Sequence, residues 1–171
     1  DANGNLTTHQ YDVANQKRSS TRSDSEELWT YTPTNQIKTH TDAQGDTTSF
    51  DYDARDRVTK ETNAENDTRT YTYDLNNNRT VIQLPNGRRW VQTFDSADRL
   101  TSVKTPENHT TTFTRSADDQ LASIVDANTH TVNLTSDALA RIASRTYPGG
   151  ATFARSWLPS SGGFQGLLMT H

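Results

Sequence analysis

Two carboxylates have a spacing that could serve acid–base chemistry: Asp51 and Asp53, on either side of Tyr52. Residues two apart in a strand point to the same face, so the pair could act as the acid and base of a glycoside hydrolase. However, an aspartate recurs in other repeats at the position of Asp53, where a turn is predicted to begin. An aspartate side chain at the start of a turn accepts backbone N–H bonds. We therefore predict that these carboxylates are structural and that the chain is not an enzyme.

Histidines and turn oxygens are the remaining candidates for a metal site. The 5 histidines fall at different positions relative to the aspartates, so no pair is placed for zinc. Aspartate and asparagine oxygens could ligate calcium, but the glycine-rich nonapeptide of calcium-binding β-rolls is absent. No cysteine occurs, which excludes disulfides and thiolate ligands. We expect neither a metal nor a cofactor.

A tyrosine–aspartate pair recurs with a period of 21 residues along the whole chain. It stands at Tyr11-Asp12, Tyr52-Asp53, Tyr73-Asp74 and, with phenylalanine, Phe94-Asp95. The same step toward the C-terminus reaches Arg115, Ser136 and Trp157, where the pair has been lost. A fixed period in this range means that one supersecondary unit is stacked on copies of itself.

Each repeat should contain two strands and two turns. A second aromatic ring often stands two residues before the tyrosine, as Trp29 stands before Tyr31, and this spacing puts both rings on one face of a strand. Four residues after the tyrosine position and seven before it, glycine, asparagine and aspartate predominate, and these residues tolerate the left-handed backbone of a turn. The segments between the turns are rich in threonine, valine and aromatics, which favours strands. The turn positions are Gly4, Asn15, Asp24, Asn35, Gly45, Asp56, Asn66, Asn77, Gly87, Asp98, Asn108, Asp119, Thr129, Ala140, Gly150 and Ser161.

The motif residues are expected to hold the repeats together. We predict that Phe50, Tyr52, Tyr71, Tyr73 and Phe94 stack as a continuous ring ladder, with aliphatic residues of the second strands packed nearby. The full set of predicted structural residues is Tyr11, Asp12, Trp29, Tyr31, Phe50, Tyr52, Asp53, Arg57, Tyr71, Tyr73, Asp74, Phe94, Asp95, Arg99 and Phe113.

The composition fits an exposed repeat sheet better than a thick globular core. Hydrophobic residues make up 30% of the chain and the mean hydropathy is -0.94. Disorder is the alternative for such a chain, but the net charge is only -4 and the aromatic rings are in register. The charges are interspersed, so we expect no nucleic-acid partner, and no apolar run is long enough to span a membrane.

These features predict an all-β fold: an array of about eight 21-residue β-hairpins in a spiralling antiparallel strip. The array should cover residues 1–156, with residues 157–171 as a degenerate last repeat or tail. Asp1 stands at a repeat boundary without a visible cap, and an uncapped strand edge favours pairing with another strand. We therefore expect the chain to adjoin further repeats of a longer shell or to assemble head-to-tail with copies of itself.

The motif from Gly45 to Val58, with Phe50, Tyr52-Asp53 and Arg57, resembles the YD repeat of bacterial Rhs proteins, of the BC components of Tc toxins and of teneurins. That resemblance implies a hollow shell that encloses a C-terminal toxin, in a protein at the surface or outside of a bacterial cell. In those families a core segment resembling Asp-Pro-x-Gly can contain a self-cleaving aspartate. No proline of this chain follows an aspartate, so cleavage and an attached toxin are not carried over.

A carbohydrate-binding or adhesion module is the alternative function from a different class. Its partner would be a glycan, whose sugar rings could stack on aromatic pairs such as Trp29 and Tyr31. The two functions differ in where the rings lie. A binding module would leave them open to solvent, whereas a shell would use them in packing.

Overall fold

A computed structural model describes residues 6–22, 25–156 and 168–170 of the chain. Within these ranges the chain is all β, with no helix and hence none that could cross a membrane. The predicted turns at Gly4, Asp24 and Ser161, and most of the predicted tail, lie outside the described residues. The strands are β1 (Thr7–Tyr11), β2 (Lys17–Arg22), β3 (Ser25–Tyr31), β4 (Ile37–Thr41), β5 (Thr47–Tyr52), β6 (Val58–Thr62), β7 (Thr68–Tyr73), β8 (Arg79–Gln83), β9 (Arg89–Phe94), β10 (Leu100–Lys104), β11 (Thr110–Arg115), β12 (Leu121–Val125), β13 (Thr131–Ser136), β14 (Ile142–Thr146), β15 (Thr152–Ser156) and β16 (Leu168–Thr170).

The chain divides into two compact units, Asp1–Arg89 and Trp90–His171. In the first unit, β1 to β8 pair antiparallel in chain order. In the second, β9 to β16 do the same. Within each unit the strands thus pair with their neighbours in sequence, as the predicted array of hairpins requires.

The turns confirm the predicted pattern at every position that the structure describes. Each turn is a three-residue loop. We call the first residue of the turn the cap residue; its backbone carbonyl accepts a hydrogen bond from the N–H of the third residue after it. At Asp53, for example, the Asp56 N–H donates to the Asp53 carbonyl at 3.0 Å, and the Asp53 N–H donates to the Arg57 carbonyl at 3.0 Å. The third residue after the cap has a positive φ, 59° at Asp56 and 89° at Gly45. This is a type I turn closed by a left-handed residue, a common hairpin loop.

The turns alternate between two edges of the strand array. The tyrosine edge comprises the turns whose cap residue follows the tyrosine position: Asp12, Thr32, Asp53, Asp74, Asp95, Ser116 and Asp137. The opposite edge comprises the turns with the cap residues Asp42, Asn63, Leu84, Thr105, Asp126 and Tyr147. Every hairpin of the tyrosine edge also carries a bulge: Tyr52 lies opposite Val58, but Asp51 lies opposite Lys60, so Thr59 is an extra residue. A bulge bends the strand and increases its twist.

Alternation along the strands gives the two faces different chemistry. One face, the ring face, carries the tyrosines and their aromatic neighbours. The other carries hydroxyls that pair across strands, as Thr30 pairs with Thr39 at 2.6 Å and Thr135 with Ser144 at 2.7 Å. Among the described residues Leu134 is the only apolar side chain counted as buried, at 8% exposure. Over its described residues, each unit is therefore held together by contacts between its own neighbouring hairpins, without a sealed core.

Candidate functional site

The aspartate of the repeat caps the turn that it begins. One carboxylate oxygen of Asp53, Oδ1, accepts the N–H groups of Arg55 at 2.8 Å and Arg57 at 3.1 Å. These bonds satisfy two backbone donors that the tight loop leaves without strand partners. The same two bonds are made by the cap residues Asp12, Asp42, Asn63, Asp74, Asp95, Asp126 and Asp137.

The second oxygen of this carboxylate binds the arginine that follows the turn. Arg57 donates to Asp53 Oδ2 through Nε at 2.8 Å and Nη2 at 2.6 Å, a two-pronged ion pair. Arg99 binds Asp95 in the same way, at 2.7 Å through each nitrogen. The hydrogen bond from Arg57 lowers the pKa of the Asp53 carboxyl to about 2, and Arg99 lowers the pKa of Asp95 to about 2. With both oxygens engaged, Asp53 is a poor candidate for a proton-transfer group.

The same arginine also reaches the next turn along the tyrosine edge. Its remaining nitrogen, Nη1, donates to the Asn77 side-chain oxygen at 3.0 Å and to the Asp74 carbonyl at 3.2 Å. Arg99 makes the corresponding contact with Asp119. Asn77 and Asp119 are the left-handed residues of their turns, so the motif links one turn to the next.

The arginine contacts the following turn, whereas the tyrosine of the repeat contacts the preceding hairpin. Tyr73 donates its hydroxyl to the Val58 carbonyl at 2.8 Å, and Arg57 lies over the Tyr73 ring with its guanidinium carbon 4.4 Å from the ring centre. Tyr31 and Tyr52 donate to the carbonyls of Lys17 and Ile37, at 2.8 and 2.7 Å. In each case the acceptor is the fifth residue after the preceding cap residue. We call this arrangement of aspartate, arginine and tyrosine the inter-repeat clamp.

The predicted ring ladder is wrong. Within the described ranges the stacked pair of rings is Trp29 and His40, with centroids 5.0 Å apart, and the tyrosines do not stack on one another. Equivalent tyrosines such as Tyr52 and Tyr73 are separated by the intervening strand β6. Two strand spacings amount to ~9.6 Å, which exceeds the 4.5–7 Å at which rings interact.

The aromatic residues two positions before the tyrosine make contacts of their own. Lys17 lies 4.1 Å from the centre of the Trp29 ring, and Tyr71 donates its hydroxyl to Glu61 at 2.7 Å. The pKa of the Tyr71 hydroxyl is raised chiefly by burial and secondly by the hydrogen bond to Glu61. Phe50 and Phe113 are half-buried in their strands.

Some predicted residues are outside the clamp. Tyr11 is 56% exposed, although the neighbouring Asp12 caps its turn and binds Arg18 at 2.7 Å. Phe94 occupies the tyrosine position without a hydroxyl. The acceptors of the clamp, Asn77 and the Val58 carbonyl, were missed by the sequence reasoning. The acceptor Asn77 could have been predicted from the sequence, because a polar residue at a predicted turn position stands 20 residues after each clamp arginine.

The fold and the clamp define the chain as a YD-shell repeat protein. A model of the Teneurin YD-shell family matches residues 1–156, and the chain belongs to this family. No curated protein matches the chain.

Three solved Tc-toxin structures have the same fold. The chain aligns with the TcdB2–TccC3–Cdc42 crystal structure at 12% identity and a TM-score of 0.74, over 94% of this chain and 11% of that one. The TcdB2–TccC3 crystal structure aligns at 10% identity and a TM-score of 0.71, over 88% and 10%. The Tc holotoxin pore of Photorhabdus luminescens aligns at 16% identity and a TM-score of 0.62, over 96% and 12%. The chain thus spans about a tenth of the solved chains, and it has a structural YD-shell fold.

Proposed function

We propose that this chain forms part of the wall of a YD-repeat shell that encloses another polypeptide. The observation that carries the proposal is the inter-repeat clamp, in which Arg57 and Tyr73 join the hairpin of Asp53 to the hairpin of Asp74. A strip built in this way can be lengthened by adding repeats, because no core limits its size. Its natural neighbours are then further YD repeats.

The further details of the proposal rest on the family. The family match ends at residue 156, which supports an array over residues 1–156 and a separate tail over residues 157–171. The likeness to Tc-toxin structures favours a secreted or surface protein of a bacterium, with a toxin polypeptide as the enclosed cargo. Self-assembly of copies into a tube is the alternative route to the same wall.

The role of the carboxylates favours a structural function over catalysis. Asp53 and Asp95 each use both carboxylate oxygens for turn and arginine contacts. The rings likewise favour packing over glycan binding, because Arg57 covers the Tyr73 ring and Lys17 covers the Trp29 ring. A sugar would have to displace these cations in order to stack there. We therefore propose that the segment is not an enzyme.

The test is electron cryomicroscopy of the full-length protein that carries this chain. We expect a hollow particle with these hairpins in its wall and polypeptide density inside. A particle without a lumen would contradict the proposal. A hollow tube whose mass rises with protein concentration, measured by light scattering, would instead support self-assembly.

The wall can also be probed by protease resistance of the enclosed segment. Replacing Arg57 and Arg99 together by glutamine removes two clamp ion pairs, and we expect faster cleavage of the cargo. The matched control is Lys104→Gln, which removes one positive charge from an exposed strand residue outside the turns. Equal cleavage of the double variant and the control would count against a sealing role for the clamp.

A further inference from the structure

The strands of the second unit carry charge of one sign only. Over residues 90–156 every aspartate and glutamate stands in a turn, whereas the first unit also has acids in its strands, such as Glu27 and Glu61. Strands β9 to β16 contain no acidic residue, and their charged residues are Arg89, Lys104, Arg115, Arg145 and Arg155.

One place on the ring face shows this difference at equivalent positions of the two units. In the first unit Glu61 lies between Phe50 and Arg69, its direct partners on the neighbouring strands. The Glu61 carboxylate accepts the Tyr71 hydroxyl at 2.7 Å and lies 3.6 Å from Nη1 of Arg69. The first unit therefore satisfies this carboxylate with its own side chains.

Four repeats later the same arrangement holds two arginines and no carboxylate. Arg145 occupies the position of Glu61, between its direct partners Leu134 and Phe153, and its side chain is exposed. Arg155 occupies the position of Tyr71 and lies over the Phe153 ring, with its guanidinium carbon 5.2 Å from the ring centre. Within the described residues neither guanidinium is paired with a carboxylate.

Apolar side chains adjoin this pair of arginines on the ring face. Ile124 and Val132 are direct strand partners, and both are half-buried, as is Phe153. A guanidinium beside apolar side chains attracts a carboxylate more strongly than one surrounded by water, because the local dielectric constant is lower. Arginine and aromatic residues are also enriched in protein interfaces. The arginine patch, as we call this surface, consists of Ile124, Val132, Leu134, Arg145, Phe153 and Arg155.

We propose that the arginine patch binds a polypeptide segment in which an acidic residue stands between apolar ones. The carboxylate of the segment takes the role that Glu61 has in the first unit and accepts hydrogen bonds from Arg145 and Arg155. The apolar residues of the segment cover Ile124 and Val132. Charge complementarity selects this occupant, because the patch has two cations and no anion. The inference goes beyond the shell and does not depend on it, since an open sheet presents the same face.

The experiment is an NMR titration of the protein with two acetylated and amidated peptides, Thr-Val-Glu-Leu-Thr and Thr-Val-Gln-Leu-Thr. These peptides differ only in the charge of the central side chain. We expect the glutamate peptide to shift the Nε–H signals of Arg145 and Arg155, and to bind roughly threefold to tenfold more tightly than the glutamine peptide. Equal affinities, or shifts that map only to the turns, would overturn the proposal.

Two variants with the same loss of charge separate the patch from the overall charge of the protein. Arg145→Gln should remove the preference for the glutamate peptide, whereas Lys104→Gln should keep it, because Lys104 is an exposed residue of the other face. Arg145→Glu should also remove the preference, because it supplies the carboxylate internally. Backbone amide spectra show whether each variant is folded. A preference that survives Arg145→Gln, or that Lys104→Gln removes as well, would refute the assignment.

Inorganic phosphate is the third probe, compared with the glutamate peptide at the same ionic strength. Phosphate offers charge without apolar contacts, so we expect it to shift the signals of Arg145 and Arg155 less than the glutamate peptide does at equal concentration. Equal or larger shifts with phosphate would assign the patch to a phosphate-bearing ligand and overturn the proposal of a polypeptide partner.

Discussion

The two units share their turns but differ in their tyrosines. The first unit makes three tyrosine-to-carbonyl bonds, from Tyr31, Tyr52 and Tyr73. In the second unit the same positions hold Phe94, Arg115 and Ser136, none of which is a phenol. The left-handed turn residues nevertheless persist in both units, even where they are Thr129 and Ala140. The turns therefore define the hairpin, and the tyrosine adds a bond between hairpins.

The arginine half of the clamp survives where the tyrosine half does not. Arg99 and Arg141 bind their cap aspartates in the second unit, with Nη2 of each 2.7 Å from the carboxylate. Arg99 also reaches the following turn at Asp119. The two halves of the clamp are thus separable, since one joins neighbouring turns and the other joins a ring to the preceding strand. We expect the first unit to be the more resistant to local opening.

Removing a clamp tyrosine should have the largest effect. Tyr73→Ala deletes a half-buried ring, its bond to the Val58 carbonyl and its contact with Arg57, so we expect a loss of about 3 kcal/mol in the free energy of unfolding. Urea titration measures this loss. Tyr147→Ala is the control, because Tyr147 is 43% exposed and should cost about 0.5 kcal/mol or less. A Tyr73→Ala protein as stable as the parent would remove the energetic basis of the clamp.

A substitution that removes only the hydroxyl separates the contribution of the Tyr73 ring to the free energy of unfolding from that of its hydrogen bond. Tyr73→Phe removes only the hydroxyl that binds the Val58 carbonyl, and it should cost about 1 kcal/mol in the free energy of unfolding, measured by urea titration. A Tyr73→Phe protein as stable as the parent would assign the whole loss to the ring.

The turns were predictable from the sequence because their signal is local. Asn, Asp or Gly at one position is enough to indicate a left-handed residue, and the period of the repeat predicted even Thr129 and Ala140 to be turn residues. The contacts between hairpins were not predictable in the same way. The bond from Tyr73 to Val58 depends on the register of successive strands and on the bulge at Thr80, which no single residue specifies.

The wrong ring ladder has a related cause. The spacing of Phe50 and Tyr52 correctly places rings on one face, but it carries no information on the distance between repeats. Because each repeat contributes two strands, equivalent rings are two strand spacings apart and meet a carbonyl and an arginine instead. The caps of the opposite edge, such as Asn63, could have been predicted, since Asp or Asn recurs there three residues before the left-handed position.

A smaller effect should follow from relieving the turn at Thr129. Its φ of 64° is unfavourable for a β-branched residue, by roughly 1–2 kcal/mol. Thr129→Gly removes this strain but increases the entropy of the unfolded chain, so we expect a net gain of about 1 kcal/mol, measured by urea unfolding. The control is Asn108→Gly at the same position of the preceding repeat, where asparagine tolerates the left-handed region and the change should be near zero. A Thr129→Gly protein less stable than the parent would show that the threonine side chain has a role in the turn.

The smallest effect concerns pH, and it separates the aspartate–arginine half of the clamp from the turn cap. The arginine bonds lower the pKa of Asp53 and Asp95 from the ordinary value of 3.8 to about 2 in the folded protein. The unfolded chain therefore binds more protons below about pH 4, so this stabilisation is complete above pH 4 and is lost as the pH falls through about 2. Asp53→Asn and Asp95→Asn together should flatten the dependence of the unfolding free energy between pH 4 and pH 2. Both asparagines can keep the two backbone bonds, as Asn63 does, so the turns should persist. Arg57→Gln with Arg99→Gln should flatten the same window by removing the partners, and an unchanged acid dependence in either double variant would contradict the assignment.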